Sequence, residues 1–213
     1  MSLIMTDKQR TAEWYQARLG FLSASRFREA TSFLQNGAET AERASCKADI
    51  ARERKTGVRE EIYVDRNMQR GIDLEEPALN FYSEVVGVDV QTTGFVRHPK
   101  IDWLGCSPDG LVGDDGLIEI KVPKQSTYWS WILAGEIPAK HVAQLTCQLA
   151  VTGRQWVDFV AFCPEMPEGQ QLFVRRMHRD ERVIAQAEQD AIQFLSEVQE
   201  QLDRLEVIQW IMR

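Results

Sequence analysis

The chain has 213 residues, of which 44% are hydrophobic and 27% charged. That ordinary globular composition excludes fibrous, collagen-like and wholly disordered classes and gives one good-sized domain with a real core. A formal charge of −7 argues against a general nucleic-acid binder, but the charge is uneven. Residues 1–70 carry 13 Lys and Arg against 10 Asp and Glu, whereas residues 71–213 carry 12 against 22. A basic N-terminal surface and a remote acidic helix can coexist in one polyanion-binding protein, and acids that hold divalent metal shift the local potential further.

In chain order, residues 11–31 read as a helix, a break at Leu22-Ser23-Ala24-Ser25 with Ser23 or Ser25 as N-cap, and a second helix. Residues 33–40 read as a loop and residues 41–55 as a helix. Arg66 to Val86 is a helix with Met68, Ile72, Leu79, Phe81 and Tyr82 at apolar spacing, and Gly87 is its stop. The period then changes. Val88–Val90, Gly94–Val96, Trp103–Cys106 and Leu111–Val112 are short β-type runs, Gly113-Asp114-Asp115-Gly116 is a turn, and Leu117–Val122 is a strand closed by Pro123. A short aromatic helix (Tyr128 to Leu133) and a longer one (Lys140 to Thr152) precede a buried strand, Trp156–Phe162, and an edge-like strand, Gln171–Val174. Ile184, Ala187, Ala191, Phe194, Val198, Leu202, Leu205, Ile208 and Met212 recur three or four apart on one long amphipathic C-terminal helix. The expected architecture is α/β: a central mixed sheet flanked by helices. It forms one domain with an N-terminal helical part (1–87), a core (88–175) and a C-terminal helix (180–213).

Cys46, Cys106, Cys147 and Cys163 show no close metal-ligand spacing and read as small buried hydrophobes. The three histidines (98, 141, 178) are equally dispersed. No apolar window approaches membrane-spanning length, and MSLIMTDKQR has no secretory h-region. The expectation is a cytoplasmic protein with reduced thiols and no membrane partner.

The stretch that carries chemistry is Ser107-Pro108-Asp109-Gly110 followed by Glu119-Ile120-Lys121. Alternate side chains of a strand share a face, so Glu119 and Lys121 point one way and Ile118, Ile120 and Val122 the other. Placing a carboxylate and an ammonium on an otherwise apolar central strand costs desolvation. Asp109, ending the preceding strand of a hairpin-like pair, can come opposite Glu119. Two acids plus the Ile120 carbonyl make a hard, oxygen-rich site suited to Mg²⁺ or Mn²⁺. Taken alone, the short pattern is weak and reads more readily as an ordinary turn dipeptide followed by a solvated pair on an edge strand.

It does not stand alone. The order and spacing resemble the PD-(D/E)xK nuclease core. The run Cys106-Ser107-Pro108-Asp109-Gly110-Leu111, then Glu119-Ile120-Lys121-Val122-Pro123, resembles the lambda-exonuclease-like, YqaJ-type viral recombinase family. Trp14-Tyr15-Gln16-Ala17-Arg18-Leu19-Gly20 with Ser23-Ala24-Ser25 resembles that family's N-terminal block, Arg70-Gly71 with Glu75 and Ala78 its G-x(3)-E helix, and Ala143-Gln144 its A-Q motif. The resemblance implies a restriction-endonuclease-like fold and a Mg²⁺-dependent 5′→3′ exonuclease that degrades linear duplex DNA to mononucleotides. A 3′ overhang is left for a single-strand annealing partner, and the enzyme is a homotrimeric ring. It implies Asp109, Glu119, the Ile120 carbonyl and Glu75 as metal ligands, Lys121 as activator of the attacking water, Gln144 at that water, and Arg18 and Ser25 at the terminal 5′-phosphate. The set fits a two-metal phosphodiester hydrolysis. The family's prototype has a further basic residue where this chain has Gln35-Asn36, so its phosphate pocket is weaker or is completed by Arg26, Arg28 or another base. The rival readings are a RecB- or Cas4-like nuclease of the same core with an iron–sulfur cluster, a non-catalytic DNA-binding or recombination scaffold, and a metal-dependent phosphohydrolase acting on small substrates.

Overall fold

The computed structural model describes residues 3–4, 8–60 and 63–211. Its elements alternate between two small mixed sheets and the helices that cover them. The first sheet has the order β1 (Leu3–Ile4), β4 (Val96–Arg97), β5 (Leu104–Cys106), β2 (Leu22–Ser23); the second has β3 (Val90–Gln91), β6 (Gly110–Val112), β7 (Gly116–Lys121), β8 (Trp156–Phe162), β9 (Leu172–His178). The expected α/β layering of mixed sheet and flanking helices, with a long C-terminal helix, holds; only the number of sheets is corrected, from one to two. They meet at Ser107–Asp109, where the chain leaves β5 and starts β6.

A second correction concerns residues 11–31. Helix α1 (Ala12–Ala17), capped by the Thr11 hydroxyl, stops early, and Leu22–Ser23 is a strand rather than a break between helices. Gly20 turns the chain at φ +73°, which an L side chain rarely adopts. Leu22 then donates its N–H to the Trp103 carbonyl at 2.8 Å and runs parallel to β5. A 3₁₀ turn (Ala24–Arg26) leads into α2 (Phe27–Ala30). Phe33 and Glu39 form an isolated antiparallel bridge within the expected loop.

α3 (Ala41–Thr56) and α4 (Arg66–Val86) are as the patterns indicate, α4 opened by Asp65 and closed by left-handed Gly87. α5 (Gln125–Ala134) and α6 (Ala139–Thr152) form the crossover between β7 and β8, which pair in parallel from Gly116↔Trp156 to Lys121↔Ala161. Both strands are covered on two faces, which explains their near-continuous apolar runs. Ile118, Ile120 and Val160 pack with Ala78 and Tyr82 of α4. Leu117, Phe159 and Ala161 pack with Tyr128 of α5 and with Leu145 and Leu149 of α6. β9 runs longer than its apolar stretch because it pairs along the full length of β8. The four cysteines are buried free thiols. Among the described residues no helix is long and apolar enough to cross a membrane.

The last helix, α7 (Glu181–Ile211), seats Ile184, Ala187, Ala191, Phe194 and Val198 in the core, each at most 6% exposed. The stripe then runs past the core edge: Leu202 is half-buried, Leu205 and Ile208 are exposed, and Met212 lies outside the described residues. α7 is tied to α3 by an ion cluster. The Glu197 carboxylate accepts from Arg43 at 2.7 and 2.9 Å and from Lys47 at 2.6 Å, and Glu39 completes the set. The hydrogen bond from Arg43, ahead of that from Lys47, holds the Glu197 carboxyl at about 2. A depressed carboxylate stabilises the fold above its unfolded pKa, near 4.3, and that stability is lost as pH falls towards 2. Removing it also leaves the Arg43 guanidinium, whose side chain is only 3% exposed, with Glu39 as its remaining acid partner. Glu197→Ala is therefore expected to cost about 3 kcal/mol in urea unfolding at pH 7. The difference from the unmutated chain should shrink below pH 4.

Candidate active site

The site begins with the connection between the two sheets. Ser107–Asp109 is held from three directions. The Trp14 indole donates to the Ser107 hydroxyl at 2.9 Å, the Gln9 amide donates to the Pro108 carbonyl at 2.7 Å and the Thr93 carbonyl at 3.2 Å, and the Asp109 N–H donates to the Ile118 carbonyl at 3.1 Å. Gly110 is required next. A Cβ there would lie 2.2 Å from Val90 and 2.9 Å from Ile118, so a side chain would push β6 off its neighbours. Asp109 Oδ2 in turn accepts the Ile120 N–H at 2.6 Å. In a strand the N–H and C=O of one residue point the same way. The Ile120 carbonyl therefore also faces the side where β6 gives way to this connection, and Pro108 has no N–H to offer it.

On the α6 face of β7, Lys121 Nζ donates to Glu119 Oε1 at 2.5 Å, Gln144 Nε2 to the same oxygen at 2.6 Å, and Gln148 Nε2 to Oε2 at 2.5 Å. Glu119 is 3% exposed. Desolvating a carboxylate on this scale is tolerable only with such a ring of donors. Gln148 was not among the residues singled out from sequence, although it stands one helical turn after Gln144, where i and i+4 share a face. Its fully buried side chain keeps Oε1 without a partner among the described residues.

Glu75, on α4, lines a cleft of about 600 Å³ that also contains Asp109. Its carboxylate is ion-paired with Arg10. Asp109, Glu119, Lys121 and Gln144 are thus brought together, and Glu75 shares the cleft with its charge already answered. Burial, then the charges of Glu119 and Glu75, drive the Asp109 carboxyl well above the usual carboxylate range, with Lys121 and the Ile120 N–H offsetting part of this. Burial alone would lower the Lys121 ammonium, but Glu119 and Asp109 outweigh it and hold the proton on. Among the described residues no three carboxylate, imidazole or thiol groups form a ready cage for one ion; Glu119 and Glu75 are each bonded to protein donors. The donor chemistry nevertheless fits a hard divalent cation: carboxylates, a free-edge carbonyl and an excess of negative charge that raises Asp109.

The second cluster lies one strand away. β2 runs beside β5, with Ser23 opposite Gly105, so the segment after α1 abuts the one that leads to Asp109. Arg18 Nη2 donates to the hydroxyls of Ser23 at 3.2 Å and Ser25 at 3.4 Å, and its guanidinium lies 4.3 Å from the Trp14 ring centroid. Burial, then the neighbouring charges of Arg59 and Arg26, lower Arg18 to about 10. It therefore remains a cation, in a place where positive charges repel one another and an anion would be favoured. Arg26 is also bound to Glu53 at 2.7 Å, whereas Arg28 turns away to the exposed Glu42. Arg59, over the Tyr15 ring at 4.4 Å, carries no sequence signal that could have placed it here.

A mixed sheet whose central strand presents Glu119 and Lys121, with Asp109 locked beside them, has the arrangement of the PD-(D/E)xK class. Residues 13–155 match the YqaJ-like viral recombinase domain family, and the chain belongs to that family. An alkaline exonuclease from Laribacter hongkongensis is 37% identical and superposes with a TM-score of 0.87 over 95% of this chain and 100% of that one. The same enzyme in complex with dAMP matches at 36% identity and a TM-score of 0.89, again over 95% and 100%. A phage-related exonuclease from Haemophilus somnus shares the fold (TM-score 0.65, 14% identity, 87% and 96% coverage). No match was found among curated proteins.

The raised Asp109 carboxyl has a measurable consequence. For an acid whose folded pKa lies above its unfolded value, the folded state binds the extra proton, so stability falls as pH rises between the two values. Asp109→Asn keeps an oxygen for the Ile120 N–H and removes the charge. Metal-free Asp109→Asn protein should melt higher than the unmutated chain at pH 8, and the gain should shrink towards pH 5; equal melting at both would refute the charge crowding.

Proposed function

We propose that this protein is a metal-dependent 5′→3′ exonuclease that degrades one strand of linear duplex DNA from 5′-phosphorylated ends to mononucleotides. The observation that carries this reading is the meeting of Lys121 and Gln144 on Glu119, with Asp109 fixed on the intervening Ile120 N–H. Membership of a viral recombinase family and likeness to an alkaline exonuclease support it. A relative crystallised with dAMP supports a nucleoside monophosphate product.

Asp109, Glu119, the Ile120 carbonyl and Glu75 would hold Mg²⁺, or Mn²⁺ in its place. Bound there in a two-metal arrangement, such ions supply Lewis-acid stabilisation of the phosphoryl charge and acidify water. The chain's own groups do the rest. Lys121 Nζ is placed to hold a proton beside the attacking water and to balance charge at the phosphate. Lys121, kept protonated by the charge of Glu119 and Asp109, would be favoured as the base once a cation held by those acids answers that charge. Gln144, anchored on Glu119, orients the water through its remaining amide atoms. Arg18 and Ser25, with Arg26 and Arg59 nearby, bind the terminal 5′-phosphate; a guanidinium suits it because its planar donors form paired bonds. DNA contacts outside the site are to the backbone, hence salt-sensitive and indifferent to sequence. A ring-shaped homotrimer and delivery of the 3′ overhang to a single-strand annealing protein complete the proposal, on the family's precedent.

Lys121→Ala should lower degradation of a 5′-phosphorylated duplex by about 10²–10⁴-fold while duplex affinity stays within about threefold. Retained turnover removes Lys121 from the mechanism. EDTA should stop degradation and Mg²⁺ restore it. The unmutated protein should degrade 5′-phosphorylated ends faster than 5′-hydroxyl ends, and Arg18→Ala should erase the difference. Equal rates before mutation overturn the pocket assignment.

A further inference from the structure

Arg10 stands in the cleft with Asp109 and Glu75, and none of the sequence motifs includes it. Its backbone is left-handed, φ +63°, a conformation that glycine adopts freely and an arginine adopts at a cost. The turn before α1 is nevertheless rigidly placed, because Gln9 is bonded to both the Pro108 and the Thr93 carbonyls. The Arg10 head is thereby aimed across 65 residues of sequence at Glu75, its side chain 37% exposed and that of Glu75 25% exposed. An ion pair so open to water contributes little to stability, no more than the strained backbone costs. A fold-stabilising role thus leaves the choice of arginine over glycine unexplained. Only Nη2 is used; among the described residues no other Arg10 N–H has a protein partner. Beside it in the cleft, Thr93 is 3% exposed with a hydroxyl that has no hydrogen-bond partner among the described residues.

A guanidinium with spare donors, fixed to the same connection that positions Asp109, has the chemistry to hold a phosphodiester. We infer that Arg10 is a phosphate-binding residue of the active cleft, gripping the DNA backbone next to the scissile bond. The inference deepens the exonuclease reading and rests on it. Glu75 serves as its counter-ion when no DNA is bound and yields it to the substrate phosphate. Arg10 contributes charge and a fixed fork of donors, and it takes no part in proton transfer.

The test is binding of a 5′-phosphorylated duplex in Ca²⁺, followed by fluorescence anisotropy from 50 to 200 mM salt, with melting temperature recorded in parallel. Arg10→Gly suits the backbone and should fold at least as well as the unmutated chain. It is expected to bind about tenfold more weakly and to flatten the slope of log affinity against log salt by about 1, with KM for degradation rising in step. Arg10→Lys should keep the slope and recover part of the affinity. An unchanged affinity and slope in Arg10→Gly overturns the inference, as does a loss that appears only in melting temperature. If the unmutated protein itself fails to bind or degrade the duplex, the exonuclease reading falls instead, so the two failures are told apart.

Discussion

The bond from the Ile120 N–H to Asp109 Oδ2, 2.6 Å long, is the constraint on which the site depends. It fixes a carboxylate at the point where one sheet ends and the next begins, against the repulsion of Glu119 and Glu75. A charge-assisted bond of this kind contributes about 1.5–3 kcal/mol, which alone does not offset burial beside like charges. The remainder comes from the grip on the chain on either side. Trp14 holds Ser107, Gln9 holds Pro108, the Ile118 carbonyl holds the Asp109 N–H, and close packing at Gly110 leaves β6 no room to slide. The site is assembled from segments far apart in sequence, so its crowding is maintained by the fold as a whole.

The same crowding reconciles a chain of net charge −7 with a polyanionic substrate. Negative charge is concentrated where oxygen ligands for a cation are wanted, and cations are gathered around Arg18, one parallel strand pairing away. Trp14 links the two regions, stacking under the Arg18 guanidinium and bonding Ser107 through its indole N–H. Most of the acid surplus lies elsewhere, and part of it, in α7, is neutralised internally by Arg43 and Lys47. Net charge is therefore a poor guide to what such a protein binds; the arrangement of charge around the cleft decides it.

Long elements were legible because their cause is local. The apolar spacing of α4 and α7, the Gly87 stop of α4 and the unbroken run of β8 depend on few contacts beyond their own faces. Leu22–Ser23 was misread because two residues carry no period, and their strand exists only through pairing with β5. The division into two sheets was hidden for the same reason. Short β runs announce that strands exist but not which of them pair, and the switch at Ser107–Asp109 is a property of the pairing.

For the site, the sequence by itself determined the chemical inventory and one alternation. Asp109, Glu119 and Lys121 were identifiable, and the two-residue period of β7 put the last two on a common face opposite Ile118 and Ile120. Tertiary structure alone decided which side chains complete the set. Gln148 reaches Glu119 because α6 crosses β7 at the right height, Arg59 joins Arg18 across a loop without pattern, and Arg10 meets Glu75 because Gln9 pins the N-terminal turn to the Asp109 connection. Periodicity reports which residues share a face of one element. Which faces meet is set by packing among elements distant in the chain, and that leaves no local trace.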